Sequence, residues 1–247
     1  MNESATADRT HIVAIGGGGF AANPPDVAID RYLLSLARRE RPTVGFIPTA
    51  TGDLPAYVAR FMAVYGGLEC RPSYLPLFTH APDLEAWVRA QDVIFVGGGN
   101  TRSMLAVWRA WGLPELLRDA HAAGTVLAGQ SAGAICWFAQ GVTDSWAGSL
   151  RPLDCLGFLE GSCCPHYNGE KERRPAYRRF VGDGAITPGI AIDDGAAAHY
   201  VDGKLEKVLA WREDASAYRL AAAGGEAREE RLDRRRLEPS PPDWPVG

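Results

Sequence analysis

The sequence predicts an α/β fold, a mainly parallel sheet with helices on both faces, and three observations carry the prediction. Through the first part of the chain, short apolar runs alternate with longer amphipathic ones, the rhythm of strand–helix units. Glycine-rich turns close three of the apolar runs, at 16–19, 97–99 and 129–133. In an open parallel sheet ligands bind outside the carboxyl ends of the strands, so these turns are expected on one edge. Finally, 247 residues with 46% hydrophobic and 23% charged side chains can bury a core without disulfides or a metal.

Taken in order, residues 11–15 form the first strand and end in Gly16-Gly17-Gly18-Gly19. A helix is predicted over 27–39, with Ile29, Leu33, Leu36 and Ala37 on one face. Strand 43–47 stops at Pro48, helix 54–65 follows, and a strand fits 69–75. Strand 92–96 runs into Gly97-Gly98-Gly99, and helices fit 101–111 and 114–123, the second with Pro114 in its first turn. Strand 125–128 precedes the third glycine turn and a helix over 132–139 follows it. Beyond residue 140 the pattern changes to short strands at 190–193, 197–201, 207–211 and 217–220, separated by turns such as Asp202-Gly203. These read as a short antiparallel extension of the same sheet. Nothing resembles a linker, so residues 1–247 are expected to form a single domain, with 224–247 a charged, then proline-rich, surface tail.

Composition narrows the function. A net charge of −4 gives no electrostatic reason to bind nucleic acid. The five cysteines are odd in number, irregularly spaced and without a C-x-x-C pair, which points to a reducing compartment and away from a zinc site. The polar start, residues 1–10, lacks the apolar region of a secretory signal, and no apolar run approaches the roughly 20 residues of a membrane span. The expected location is the cytoplasm.

Gly129-Gln130-Ser131-Ala132-Gly133 has the form G-x-S-x-G, a nucleophile elbow between a strand and a helix. Such a turn lifts the serine hydroxyl to a helix N-terminus, where N–H groups favour developing negative charge. Ser131 is therefore the candidate nucleophile. Of the five histidines, His166 stands in a loop after an apolar stretch and is the candidate base, whereas His11 opens a strand at the wrong end of the sheet, His80 lies in a loop, His121 ends a helix and His199 lies within a strand. Two acids suit the third place of a triad, Asp194 at a strand end and Asp144 after the elbow helix, and Asp193 competes with Asp194 according to which side of the strand each faces. The N–H groups of residues 97–99 can hold an oxyanion. Asn100, which opens the next helix, and Arg173 and Arg174, close to His166 in sequence, are candidate substrate-binding residues, although the charged stretch 168–179 also reads as a solvated helix. Residues 16–21 do match G-x-G-x-x-A, but Asn23-Pro24-Pro25 interrupts where a dinucleotide-binding helix should run and the second strand ends without an acid.

Together, Val96-Gly97-Gly98-Gly99-Asn100-Thr101, Gly129-Gln130-Ser131-Ala132-Gly133-Ala134, Pro165-His166-Tyr167 and Asp194-Gly195 resemble the peptidase E family, the aspartyl dipeptidases related to cyanophycinases. The resemblance runs through most of residues 10–210. It implies a fold like that of class I glutamine amidotransferases, with Ser131 as nucleophile and His166 as base. It implies Asp194 or Asp144 as the acid, and oxyanion donors at Gly98 or Gly99 and at Ala132. The late acid is Asp here, where the best-known enterobacterial members are expected to carry Glu, and Cys136-Trp137-Phe138 with the four glycines at 16–19 looks like a separate branch.

The expected activity is hydrolysis of small peptides through an acyl-enzyme, with a preference for N-terminal aspartate implied by the resemblance. No metal or organic cofactor is called for. The expected partner is a small peptide substrate, with no nucleic acid and no membrane, and a homodimer is compatible with the sequence. Two alternatives differ in class. An α/β-hydrolase esterase would place its histidine late, yet none follows His199. A silent binding module would keep Ser131 only as a turn residue.

Overall fold

A computed structural model describes residues 9–242 and residue 244, so most of the polar start (1–8) and of the last residues (243, 245–247) lie outside the described part. The first strand, β1 (His11–Ile15), sends Ile12 and Ala14 into one core and Val13 and Ile15 into another. The two-residue period of a strand imposes this division. β1 lies inside an eight-stranded sheet. On one side it pairs in parallel with β5 (Val126–Gln130), and the parallel array continues through β4 (Val93–Val96) and β2 (Thr43–Ile47) to β3 (Arg71–Tyr74). On the other side it pairs antiparallel with β10 (Ala196–Val201), followed by β11 (Lys204–Ala210) and β14 (Arg234–Arg236).

Helices cover both faces, as expected. α1 (Ala28–Leu34) and α2 (Pro55–Gly66) contribute Ile29, Leu33, Phe61 and Val64 to the core under Val13 and Ile15. α3 (Leu84–Arg89), α4 (Thr101–Trp111) and α5 (Leu113–Ala122) place Val88, Met104, Trp108 and Leu117 in the opposite core. Local chemistry sets their limits. Asn100 caps α4 by accepting from the Ser103 N–H at 2.9 Å, and Gly112 ends it at φ 66°. Pro114 occupies the first turn of α5, where its missing N–H costs nothing. The helix expected over 27–39 stops at Leu34, and the Ser35 hydroxyl bonds back to the Tyr32 carbonyl.

The second half departs from expectation. A six-stranded second sheet runs β13-β12-β9-β8-β6-β7, built from β6 (Phe138–Trp146), β7 (Ser149–Asp154), β8 (Leu159–Cys164), β9 (Gly189–Ile192), β12 (Ala217–Ala223) and β13 (Glu226–Arg231). Of the strands read as one antiparallel extension, only β10 and β11 extend the first sheet. The helix after Ser131, α6 (Ala132–Ile135), has four residues, and the chain turns back into β6 where helix to 139 was expected. The closeness of that turn is set by Gly141, where a Cβ would run into the Ile135 side chain. The described part of 224–247 is not simply a tail: it supplies β13 and β14, and the Val27 N–H donates to the Ser240 carbonyl at 2.8 Å. One hydrophobic cluster joins the sheets, with Ile12 and Ala14 beside Ile190, Ile192 and Ala217, while α7 (Arg173–Gly182) seals the second sheet with Tyr177 and Val181. Among the described residues no helix is long and apolar enough to cross a membrane.

Candidate active site

Because β1, β4 and β5 are parallel, the turns after Ile15, Val96 and Gln130 open on one edge. Ser131 occupies the last of these at φ 54°, ψ −115°, a conformation that side-chain-bearing residues rarely adopt. Its N–H donates to the Ile15 carbonyl at 3.1 Å, which ties the elbow to the end of β1. The flanking glycines are required by space: a Cβ on Gly129 would enter the Gly133 carbonyl, and one on Gly133 would enter that of Val96.

The second sheet delivers the other two groups. β8 and β9 are parallel, so both end on one edge. His166 follows β8 and Asp194 follows β9, and His166 Nδ1 stands 2.6 Å from Asp194 Oδ1. Asn168 steadies this arrangement by accepting the Asp194 N–H at 2.8 Å. His166 has a positive φ of 60°, so His166 and Ser131 are both presented on strained turns.

The four-glycine turn joins the two halves. Gly17 bridges to Asp194, and its carbonyl accepts the Gly195 N–H at 2.8 Å. A Cβ on Gly17 would overlap Asp194 Oδ1 and lie 2.8 Å from His166 Cε1. The turn that resembled a nucleotide fingerprint is therefore bare because the imidazole and carboxylate rest on it.

Burial pushes the Asp194 carboxyl up. The hydrogen bond to His166 and the charges of His166, Arg212 and Arg173 outweigh burial, and the carboxyl is held below its ordinary range. Asp193 faces the other way, its Oδ2 accepting from the Ser216 N–H at 3.0 Å and the Tyr218 hydroxyl at 3.2 Å. Asp144 is exposed and pairs with Arg173 at 3.7 Å instead of with His166.

The oxyanion candidates lie beside Ser131. The position of a Cβ on Gly98 is 3.1 Å from Ser131 Cβ and 3.6 Å from Oγ. The Gly98 N–H points at the Tyr57 hydroxyl, 3.3 Å away, whereas those of Gly99 and Ala132 meet no protein acceptor among the described residues. The substrate-binding candidates are differently engaged. Asn100 caps α4 and donates to the Ser145 carbonyl at 3.2 Å. Arg173 is buried, 2.6 Å from Glu170 and 3.1 Å from the Val142 carbonyl, and Arg174 pairs with Glu229 above the rings of Tyr167 and Tyr218. Both arginines brace α7, and its charged stretch is anchored rather than simply solvated.

Three residues near the site gave no signal in the sequence. Arg212 packs against Gly195, and its charge acts on Asp194. Tyr57 and Gln130 meet through the phenol at 2.9 Å. Spacing could not have found Arg212 or Tyr57, which arrive from distant elements. Among the described residues no three His, Cys, Asp or Glu side chains group as a metal site requires.

The family model of peptidase family S51 matches residues 12–208. An uncharacterized peptidase of Bacillus subtilis, YgaJ, is 49% identical over 219 residues, covering 88% of this chain and 95% of its own length. A peptidase E of Shewanella putrefaciens is 32% identical over 171 residues, 65% of this chain and 71% of that protein. Among solved structures, a peptidase from an acI-B1 actinobacterium superposes with a TM-score of 0.70 at 18% identity, covering 92% of this chain and 96% of that one. A putative peptidase E of Listeria monocytogenes gives 0.60 at 18% identity, covering 91% and 100%. The two structures share the mixed α/β fold with this chain. The family match and the near full-length similarity to YgaJ make the chain a member of peptidase family S51.

Proposed function

We propose that this peptidase is serine-type and cleaves small peptides through a Ser131–His166–Asp194 acyl-enzyme. The observation that carries the reading is the 2.6 Å bond between His166 Nδ1 and Asp194, resting on the Gly17 turn one strand from the Ser131 elbow. With Nδ1 bonded to an ionised carboxylate, Nε2 is the nitrogen left to accept a proton. It takes the Ser131 hydroxyl proton as Oγ attacks the peptide carbonyl. The Ala132 and Gly99 N–H groups hold the tetrahedral oxyanion. His166 returns the proton to the leaving amine, the C–N bond breaks, and water repeats the sequence on the ester. An amidotransferase-like architecture and a cytoplasmic location accompany this reading, supported by the parallel core with its elbow and by the five unpaired cysteines.

A preference for N-terminal aspartate needs a cation free to meet the substrate carboxylate. Arg173 and Arg174 are held by Glu170 and Glu229, and the exposed Arg212 beside Asp194 is the better candidate. A fluorophosphonate probe, followed by assay of Asp-X, Ala-X and ester substrates, tests the whole. Wild-type protein is expected to be labelled and Ser131→Ala not. Cleavage of esters but not peptides would move the chain to another class of acyl hydrolase, and an unlabelled wild type would reject the mechanism.

A further inference from the structure

The acyl transfer described above leaves one polar pair beside Ser131 unused. Tyr57 lies in the first turn of α2, and its phenolic oxygen is 2.9 Å from Gln130 Nε2 and 3.3 Å from the Gly98 nitrogen. Both neighbours are donors. They fill the two acceptor positions of the oxygen and leave its own hydrogen without an acceptor. Gln130 has the complementary defect, since its Oε1 is buried and unpartnered. Turning the amide over would spend the phenol hydrogen on Oε1, whereas the orientation with Nε2 donating leaves that hydrogen available. In that orientation the pair holds a polar hydrogen that no group among the described residues accepts, and a buried group left so is costly unless something binds it.

The place of this hydrogen gives it a use. Gln130 directly precedes the nucleophile, and Gly98 is the residue whose missing Cβ would touch Ser131. The ring is fixed on several sides: it stacks on Phe20 at 5.6 Å, meets Phe46 edge-on at 5.2 Å, and lies where a Cβ on Gly97 would come within 2.8 Å. Tyr57 is thus packed among the turns around Ser131, with its hydroxyl on the Gly98 N–H.

We infer that Tyr57 is a catalytic residue of the oxyanion hole: the Gly98 N–H ends on the phenol, and the phenol O–H donates to the tetrahedral oxyanion on Ser131. The inference rests on the serine-peptidase reading. Gly98 acts through Tyr57, and Gln130 holds the phenol in line. Burial pushes the Tyr57 hydroxyl up, only partly offset by the Gly98 and Gln130 donors, so it remains protonated and able to donate.

Tyr57→Phe keeps the ring and removes only the hydroxyl. Its second-order rate of fluorophosphonate labelling at Ser131 is expected to fall about 10²-fold, the usual scale for losing one oxyanion donor. Site-specific replacement of Tyr57 by 3,5-difluorotyrosine, which preserves shape but lowers the phenol pKa, should bring the alkaline loss of labelling to lower pH. This second measurement decides the matter if the Phe variant fails to fold. A Phe variant labelled within threefold of wild type, or an unmoved alkaline limb in the fluorinated protein, overturns the role of Tyr57 while leaving Ser131 as nucleophile. A wild-type protein that takes no label overturns the peptidase mechanism and this inference with it.

Discussion

The carboxylate of Asp194 has one oxygen on His166 Nδ1, and its other oxygen lies where a Cβ on Gly169 would intrude. In the proposed triad such packing would fix the imidazole tautomer and plane, the task of the acid. Asp194→Asn is expected to lower turnover about 10³- to 10⁴-fold while leaving the fold intact, because the amide keeps the shape but favours the wrong tautomer. Asp144→Asn should leave turnover within a few-fold of wild type, since Asp144 meets Arg173 at an exposed position. Steady-state kinetics of the two variants on one peptide checks both. Reversed results would transfer the role to Asp144. Each acid was legible as a candidate in the sequence, but neither the 2.6 Å bond nor the opposite facing of Asp193 was, because both depend on how β8 and β9 align.

Among the elements, the turn after β1 matters most for the chemistry. Gly17→Ala would put a methyl group into the space of Asp194 and His166 without touching the Ser131 elbow. A shift of about 1 Å in catalytic groups can cost on the order of 10²-fold in rate, and a loss of that size is expected, with the melting temperature changed much less. Kinetics paired with thermal melts separates the two effects, and an unimpaired Gly17→Ala enzyme would show that the turn does not position the dyad. The elements with local punctuation were legible: α4 between Asn100 and Gly112, α5 at Pro114, and β1, β4 and β5 before their glycines. β6 to β8 were not. The run Ile135-Cys136-Trp137-Phe138 is apolar at successive positions, so periodicity could not separate the end of a helix from the start of a strand.

For the whole molecule, the largest electrostatic liability lies away from the reaction. Asp30 is fully buried on α1. The Tyr65 hydroxyl donates to its Oδ1 at 2.8 Å, and Oδ2 meets no full hydrogen bond among the described residues. Burial pushes this carboxyl up to about 7, against the opposing pull of the Tyr65 hydroxyl and the backbone N–H groups of Asp30 and Phe20. In the unfolded chain an aspartate titrates near 3.9, so between about pH 4 and 7 the folded protein keeps a proton that the unfolded one has lost. The stability Asp30 contributes is therefore fully present below about pH 4 and falls away as pH rises to about 7. Asp30→Asn remains neutral throughout and preserves an acceptor for Tyr65. It should gain stability at pH 8, by up to about 4 kcal/mol, and none at pH 4. Urea denaturation of both proteins at the two pH values tests this, and equal gains at both would show that ionisation is not the cause.

The sequence by itself determined the strand–helix order of the first half, the elbow at Ser131 and the identity of the residues that can serve beside it. These features are local, each written in a few neighbouring residues as glycines, prolines, caps and apolar periods. The tertiary structure decided that a second sheet exists, that its two parallel strand ends bring His166 to Asp194, that Arg173 and Arg174 brace a helix, and that Tyr57 reaches the glycine loop. Those outcomes depend on pairing and packing between segments far apart in the chain. One residue of register would turn each side chain to the other face, and only the assembled core fixes that register.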